Sequence, residues 1–157
     1  YTYHQLYDMD IVNLRFFTVF GERQRPDLAI YKFINAVLDD KPISLYGSGD
    51  TARDYTYIKD IVNGVASAFD YVQSRENIYD IINIGNNKPV KLMELVDMIY
   101  EITGRKKNIM CIEKQPGDVE YTCADISKAQ KILQYNPSTS MKEGLIKFAE
   151  WYKSIKT

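Results

Sequence analysis

Residues 11–46 read IVNLRFFTVFGERQRPDLAIYKFINAVLDDKPISLY, and their rhythm decides the fold class. Ile11 to Val19 is β-branched and aromatic and runs out at Gly21, the pattern of a buried strand. Arg25-Pro26-Asp27 then opens a helix, with Asp27 at the N-cap position. Ile30, Tyr31, Ile34, Val37 and Leu38 recur at helical spacing until Pro42 stops the run, and Ile43 to Tyr46 is a second short strand. Strand, crossover helix and strand form the unit from which parallel α/β sheets are built.

The alternation continues outward. Gly47-Ser48-Gly49-Asp50 is a turn, and Arg53 to Tyr57 is extended. A helix follows with Ile58, Ile61, Val62, Val65 and Phe69 on one face. Tyr79 to Ile84 is a strand ended by Gly85-Asn86-Asn87, and the helix carrying Leu92, Leu95, Val96 and Ile99 closes at Gly104. Ile109 to Glu113 is a further strand. Asp125 caps a short helix to Leu133, and Ser140 with Glu143 forms a capping box for a last helix with the face Met141, Leu145, Phe148, Tyr152 and Ile155. The class is therefore α/β with parallel pairing. Tyr1 to Tyr7 reads as the tail of a helix already under way, without an initiator Met or a signal segment, so a piece of a longer protein is expected.

Composition narrows the function. Twenty Lys+Arg against 21 Asp+Glu leaves a net charge of −1, which gives no basic face for nucleic acid or a membrane surface. No apolar run approaches the ~18 residues of a membrane span. Cys111 and Cys123 are too far apart for a Cys-x-x-Cys pair, and His4 is the only histidine, so no zinc site is expected. Both cysteines read as buried or half-buried free thiols suited to a cytoplasmic protein, and His4 as a surface helix residue.

Two short motifs fail on context. Gly47-Ser48-Gly49-Asp50-Thr51-Ala52 matches G-x-G-x-x-A, but the dinucleotide fingerprint needs a helix at its third position and a strand-like segment follows instead. Tyr55-x-x-x-Lys59 and Tyr152-x-x-x-Lys156 match the Tyr/Lys pair of short-chain dehydrogenases. Tyr55 precedes its helix and Tyr152 falls at a helix end expected to fray, so neither pair is taken as catalytic.

Four ordered blocks carry a resemblance. LRFFTVFGERQRPDLAIYKF (Leu14 to Phe33), ISLYGSGDTARDYTYIKDIV (Ile43 to Val62), YDIINIGNNKPVKLMELVDMI (Tyr79 to Ile99) and QPGDVEYTCADISKAQKIL (Gln115 to Leu133) together resemble the nucleotide-sugar epimerase/dehydratase family of extended short-chain dehydrogenases, in its UDP-glucuronate 4-epimerase branch. The resemblance implies a Rossmann-type protein of which residues 1–157 are the C-terminal, substrate-binding portion. It implies that the glycine-rich NAD fingerprint and the catalytic Tyr-x-x-x-Lys lie upstream of Tyr1. The chain would then hold no catalytic residue and be inactive alone. The parent would be a cytoplasmic homodimeric isomerase: NAD takes and returns the C4 hydride while the Tyr handles the C4 hydroxyl proton.

The same resemblance implies site roles. Arg53 binds the diphosphate, a task that suits a permanently charged fork, and the helix opening at Leu28 offers free N–H groups to the same anion. Tyr46 and the backbone of Ser44 and Leu45 hold uracil. Gln115 and Asp118 reach the ribose, although many family members carry Arg where Gln115 stands. Phe17 lies next to the nicotinamide, and Thr18 and Arg25 hold the sugar carboxylate. Bland readings stand beside these: an ion pair of Arg53 with Asp54 or another carboxylate, a core role for Tyr46, surface pairing for Arg23 or Arg25. Alternatives for the whole protein are a UDP-glucose 4-epimerase, a nucleotide-sugar decarboxylase or dehydratase, and a non-catalytic sugar-nucleotide binding module.

Overall fold

The computed structural model describes residues 1–114 and 117–156. Their elements follow as α1 (Thr2–Tyr7), β1 (Ile11–Phe16), β2 (Thr18–Phe20), α2 (Ala29–Leu38), β3 (Ile43–Tyr46), β4 (Ala52–Tyr57), α3 (Ile58–Gln73), β5 (Tyr79–Ile84), β6 (Pro89–Lys91), α4 (Leu92–Thr103), β7 (Ile109–Ile112), α5 (Ser127–Leu133) and α6 (Met141–Ile155). The α/β class and its parallel pairing are as expected. β1 pairs with β5, β2 with β4 and β3 with β7, all parallel, while β6 adds to β4 antiparallel.

The single strand expected over residues 11–19 is two strands. Phe17 N–H donates to the Ile84 carbonyl at 3.1 Å as the last rung against β5, and the next residue, Thr18, already lies opposite Tyr55 of β4. One peptide thus passes between two sheets. β1 is also not buried throughout, since Asn13, Arg15 and Phe16 are exposed. Val12 and Leu14 pack on the core from one face of the strand, Asn13 and Arg15 alternate to the other, and Phe16 at the end of the core-facing side is left uncovered.

Two hydrophobic cores result. The larger gathers Phe20, Ile30, Ile34, Leu45, Leu95 and Leu145 with Phe148, between α2, α4, α6 and the β2–β4 sheet. The smaller packs Ile61 of α3, Ile82 and Ile84 of β5, and Ala129 and Leu133 of α5. Each large side chain buried this way contributes roughly 1.5–3 kcal/mol. The apolar faces read for α2 and α4 are the buried ones. Gly104 closes α4 in the left-handed region, at φ 66°.

Several local expectations are corrected. In α3 the buried stripe is Asp60, Ile61, Gly64 and Ala68, while Val62, Val65 and Phe69 are exposed. The helix packs through its small residues, with the ring of Tyr135 seated over Gly64. Leu28, not Asp27, caps α2, because Asp27 is turned to Arg25. His4 is buried rather than on the surface, with Nδ1 2.8 Å from the Met9 carbonyl and its ring against Tyr79. Cys111 is exposed on the outer face of β7, whereas Cys123 is half-buried as expected. Tyr152 is not frayed: it is buried, and its hydroxyl donates to Asn35 Oδ1 at 2.6 Å. Only Ile155 leaves the face of α6 for solvent.

Candidate nucleotide-sugar site

The turn Gly47–Thr51 joins β3 to β4, which lie in different sheets, and residues of both strands and of the first half of α2 line a cleft of about 500 Å³. Alternation along β3 sends Leu45 wholly into the core and leaves Ser44 and Tyr46 lining the cleft. Tyr46 remains 44% exposed, so it does not serve as core. Alternation along β4 likewise places Arg53 and Tyr55 on the cleft side. Burial pushes the Tyr55 phenol above its usual range, against the opposing pull of Arg53.

Asp54, between them, faces the other way and is completely buried. Its Oδ1 accepts the Asn86 N–H at 2.9 Å, and its Oδ2 accepts the N–H groups of Asn87 at 3.0 Å and Ala124 at 2.8 Å. Asp54 is therefore not the partner of Arg53. That partner is Asp118, at 2.6 Å from one guanidinium nitrogen, and Arg53 also donates to the Ala52 carbonyl at 3.1 Å. A guanidinium so aimed, with most of its surface covered, meets an anion as a fixed fork. The start of α2, whose Ala29 also lines the cleft, has no side-chain cap, which leaves its first-turn N–H groups for an anion.

The loop 21–28 hangs beside this cleft and is tied down at its root. Gly21 has φ 141°, and a Cβ there would lie 2.4 Å from Ile58 Cγ2, so only glycine fits. The Tyr57 hydroxyl donates to the Glu22 carboxylate at 2.7 Å. Burial, reinforced by that carboxylate, drives the Tyr57 phenol far up. Farther along, Arg25 donates to Asp27 at 3.0 Å with both side chains largely exposed. Asp27 lines the cleft and Arg25 does not.

Of the residues assigned from sequence, Ser44, Tyr46, Arg53 and Asp118 thus converge on one cleft. Leu45 is fully buried in the larger core and does not line the cleft. Thr18 opens β2, Phe17 packs against the smaller core, and Leu28 caps α2; none of these three lines the cleft. Gln115 lies outside the described residues. Sequence reasoning missed Lys32, Phe33 and Leu92 as lining residues. For Lys32 and Phe33 the available signal was their position one turn into the helix that opens on the anion.

Residues 1–85 match the model of the NAD dependent epimerase/dehydratase family. The chain belongs to that family. It is 39% identical over 154 residues to the UDP-glucuronate 4-epimerase of Thermodesulfobacterium geofontis, covering 98% of this chain and 46% of that protein. Among solved structures, the UDP-glucuronic acid 4-epimerase of Bacillus cereus, in complex with UDP-glucuronic acid and NAD, superposes with a TM-score of 0.91 at 36% identity, over 98% of this chain and 48% of that one. The UDP-glucose 4-epimerase of Thermotoga maritima with UDP-glucose also gives 0.91, at 26% identity, over 99% of this chain and 50% of that one. The chain spans about half the length of these relatives.

The glycine-rich turn Gly47–Thr51 leads into β4 rather than a helix, so it offers no helix N-terminus to the pyrophosphate of the family's NAD. No group of His, Cys, Asp and Glu among the described residues could hold a metal ion, and no helix among them is long and apolar enough to cross a membrane.

Proposed function

We propose that this chain is the UDP-sugar-binding part of an NAD-dependent UDP-sugar 4-epimerase, and that the sugar is glucuronate. The observation that carries the reading is the cleft, where Arg53, Tyr46 and the uncapped start of α2 meet. A flat aromatic face and a strand edge suit a pyrimidine, and a guanidinium beside free N–H groups suits a diphosphate. Arg53 takes the diphosphate and Asp118, already at its side, takes the ribose hydroxyls. Ser44, the Leu45 backbone and Tyr46 take uracil, with Gln115 at the ribose by resemblance. The sugar then extends toward Thr18 and Arg25, and Phe17 stands at the nicotinamide edge.

In that scheme these residues bind and orient, and the family's NAD supplies the hydride chemistry in the complete enzyme. Neither Tyr/Lys pair of this chain is set up for proton transfer. Tyr55 and Lys59 stand on a strand and a helix, and the Tyr152 hydroxyl is engaged with Asn35. On this reading the chain alone is inactive and the complete enzyme is a homodimer.

A second reading, a UDP-hexose 4-epimerase, is favoured by the Arg25–Asp27 pair, which already satisfies the guanidinium that a uronate would need. The test is product analysis of the complete enzyme with UDP-glucuronate and UDP-glucose. Interconversion of UDP-glucuronate with its C4 epimer supports the first reading, and turnover of UDP-glucose alone supports the second. Turnover of either by the isolated chain with NAD contradicts the placement of catalysis outside it.

A further inference from the structure

We propose that Lys32 is the second cation of the nucleotide cleft and carries the share of the diphosphate charge that Arg53 leaves unneutralised; this rests on the UDP-sugar reading above. Four charged side chains line the cleft: Asp27, Lys32, Arg53 and Asp118. Three are engaged before any ligand enters. Arg53 donates to Asp118 at 2.6 Å, and Asp27 accepts from Arg25 at 3.0 Å. Lys32 has no ion-pair partner among the described residues.

Its position matches the role. The Lys32 N–H donates to the carbonyl of Leu28, the cap of α2, at 3.0 Å, so Lys32 stands one turn into the helix. Helical side chains tilt back toward the N-terminus. The Lys32 stem therefore runs toward the end of α2 whose first-turn N–H groups are free. Phe33, the next residue, is buried and fixes the rotation of the helix at this point. A diphosphate brings about two negative charges at neutral pH, and a guanidinium shared with a carboxylate offsets less than one of them. The remaining charge falls to the one unpaired cation that the described lining provides.

The experiment is a ligand-observed NMR titration of the whole chain with UDP and with uridine, for wild type, Lys32→Gln and Lys32→Arg, at low and moderate salt. Lys32→Gln should weaken UDP roughly five- to twentyfold, an exposed charge-assisted contact converted to affinity. It should leave uridine within about twofold and flatten the salt dependence of UDP binding. Lys32→Arg should keep UDP near its wild-type affinity. UDP affinity unchanged in Lys32→Gln, or uridine weakened as much as UDP, overturns the assignment of Lys32 and leaves the UDP-sugar reading intact. A wild-type chain that binds no UDP overturns that reading, and the role of Lys32 with it.

Discussion

Asp54→Asn is expected to loosen the chain around the site far more than a swap of one atom suggests. The carboxylate is fully buried and accepts three backbone N–H groups, one on Oδ1 and two on Oδ2. An amide has one acceptor oxygen. If that oxygen serves the pair from Asn87 and Ala124, the new NH₂ faces the Asn86 N–H, and one half-buried donor loses its partner. Leaving such a group unsatisfied costs about 1–3 kcal/mol. The pocket cannot open to relieve it, because the Gly85 backbone already lies where a Cβ would be 2.4 Å from Ala124 Cβ and 3.0 Å from Asp54 Oδ2. Asp54→Ala abandons all three donors, of which Ala124 is fully buried and Asn86 half-buried, so the loss is about 2–6 kcal/mol against the ~5–15 kcal/mol that holds an ordinary domain folded. Urea unfolding followed by circular dichroism measures both. With a slope of about 2 kcal/mol/M, the Asn variant should lose about 0.5–1.5 M in midpoint, and the Ala variant should show no folded baseline or a far lower midpoint. An Asn midpoint within about 0.2 M of wild type, at unchanged slope, would refute the argument that the carboxylate staples these three segments together.

Other consequences are as direct. In the complete enzyme, Arg53→Ala should weaken UDP, UDP-glucose and UDP-glucuronate alike by roughly one to two decades. Arg25→Ala should weaken only UDP-glucuronate, and equal losses for UDP and UDP-glucuronate, measured by calorimetry, would make Arg25 a phosphate or structural residue. Gly144→Val should destabilise by at least about 1–3 kcal/mol in thermal melts, since a Cβ there meets Phe20 at 2.6 Å and Tyr57 at 3.0 Å. Asp80 is held below its ordinary value of 3.8 first by Lys128 and then by Tyr71. Its pair therefore stabilises the fold above that value and is lost as pH falls through the lowered one. Asp80→Asn should give a shallower loss of stability over that acid range in urea titrations at stepped pH.

How much of this was legible depended on what each pattern reports. Helical spacing reports a face, and for α2, α4 and α6 the apolar face is also the buried one. In α3 it misled, because Val62, Val65 and Phe69 make the more apolar stripe while the packed one consists of Ile61, Gly64, Ala68 and a satisfied Asp60. Spacing ranks hydrophobicity and does not see that a glycine admits the Tyr135 ring. The division at Phe17 was equally invisible, since an apolar run of strand-forming residues does not record a change of partner. At the cleft, Ser44, Tyr46 and Arg53 were named through the family resemblance, and strand alternation accounts for their facing the cleft. The Arg53–Asp118 contact joins residues 65 apart, a distance no local pattern spans. Lys32 went unnoticed for a similar reason: a lysine on an amphipathic helix reads as solvated surface until the strands it overlooks are in place.

The pairing of β1 with β5 also sets a clock on biosynthesis. Ile11 lies opposite Tyr79, and Asp10 Oδ1 accepts the N–H of Ile78, 68 residues onward. A ribosome adding about 5–20 residues per second delivers that stretch about 3–14 s after β1 has been made. For those seconds the β1 edge that β5 will take has no partner among the described residues, and exposed Phe16 sits at its end. β2 is tethered to that waiting strand through Phe17 alone, and the cleft still lacks Leu92 and Asp118 from the later half of the chain. The nascent chain therefore acquires its cleft only when its second half has arrived to claim its first.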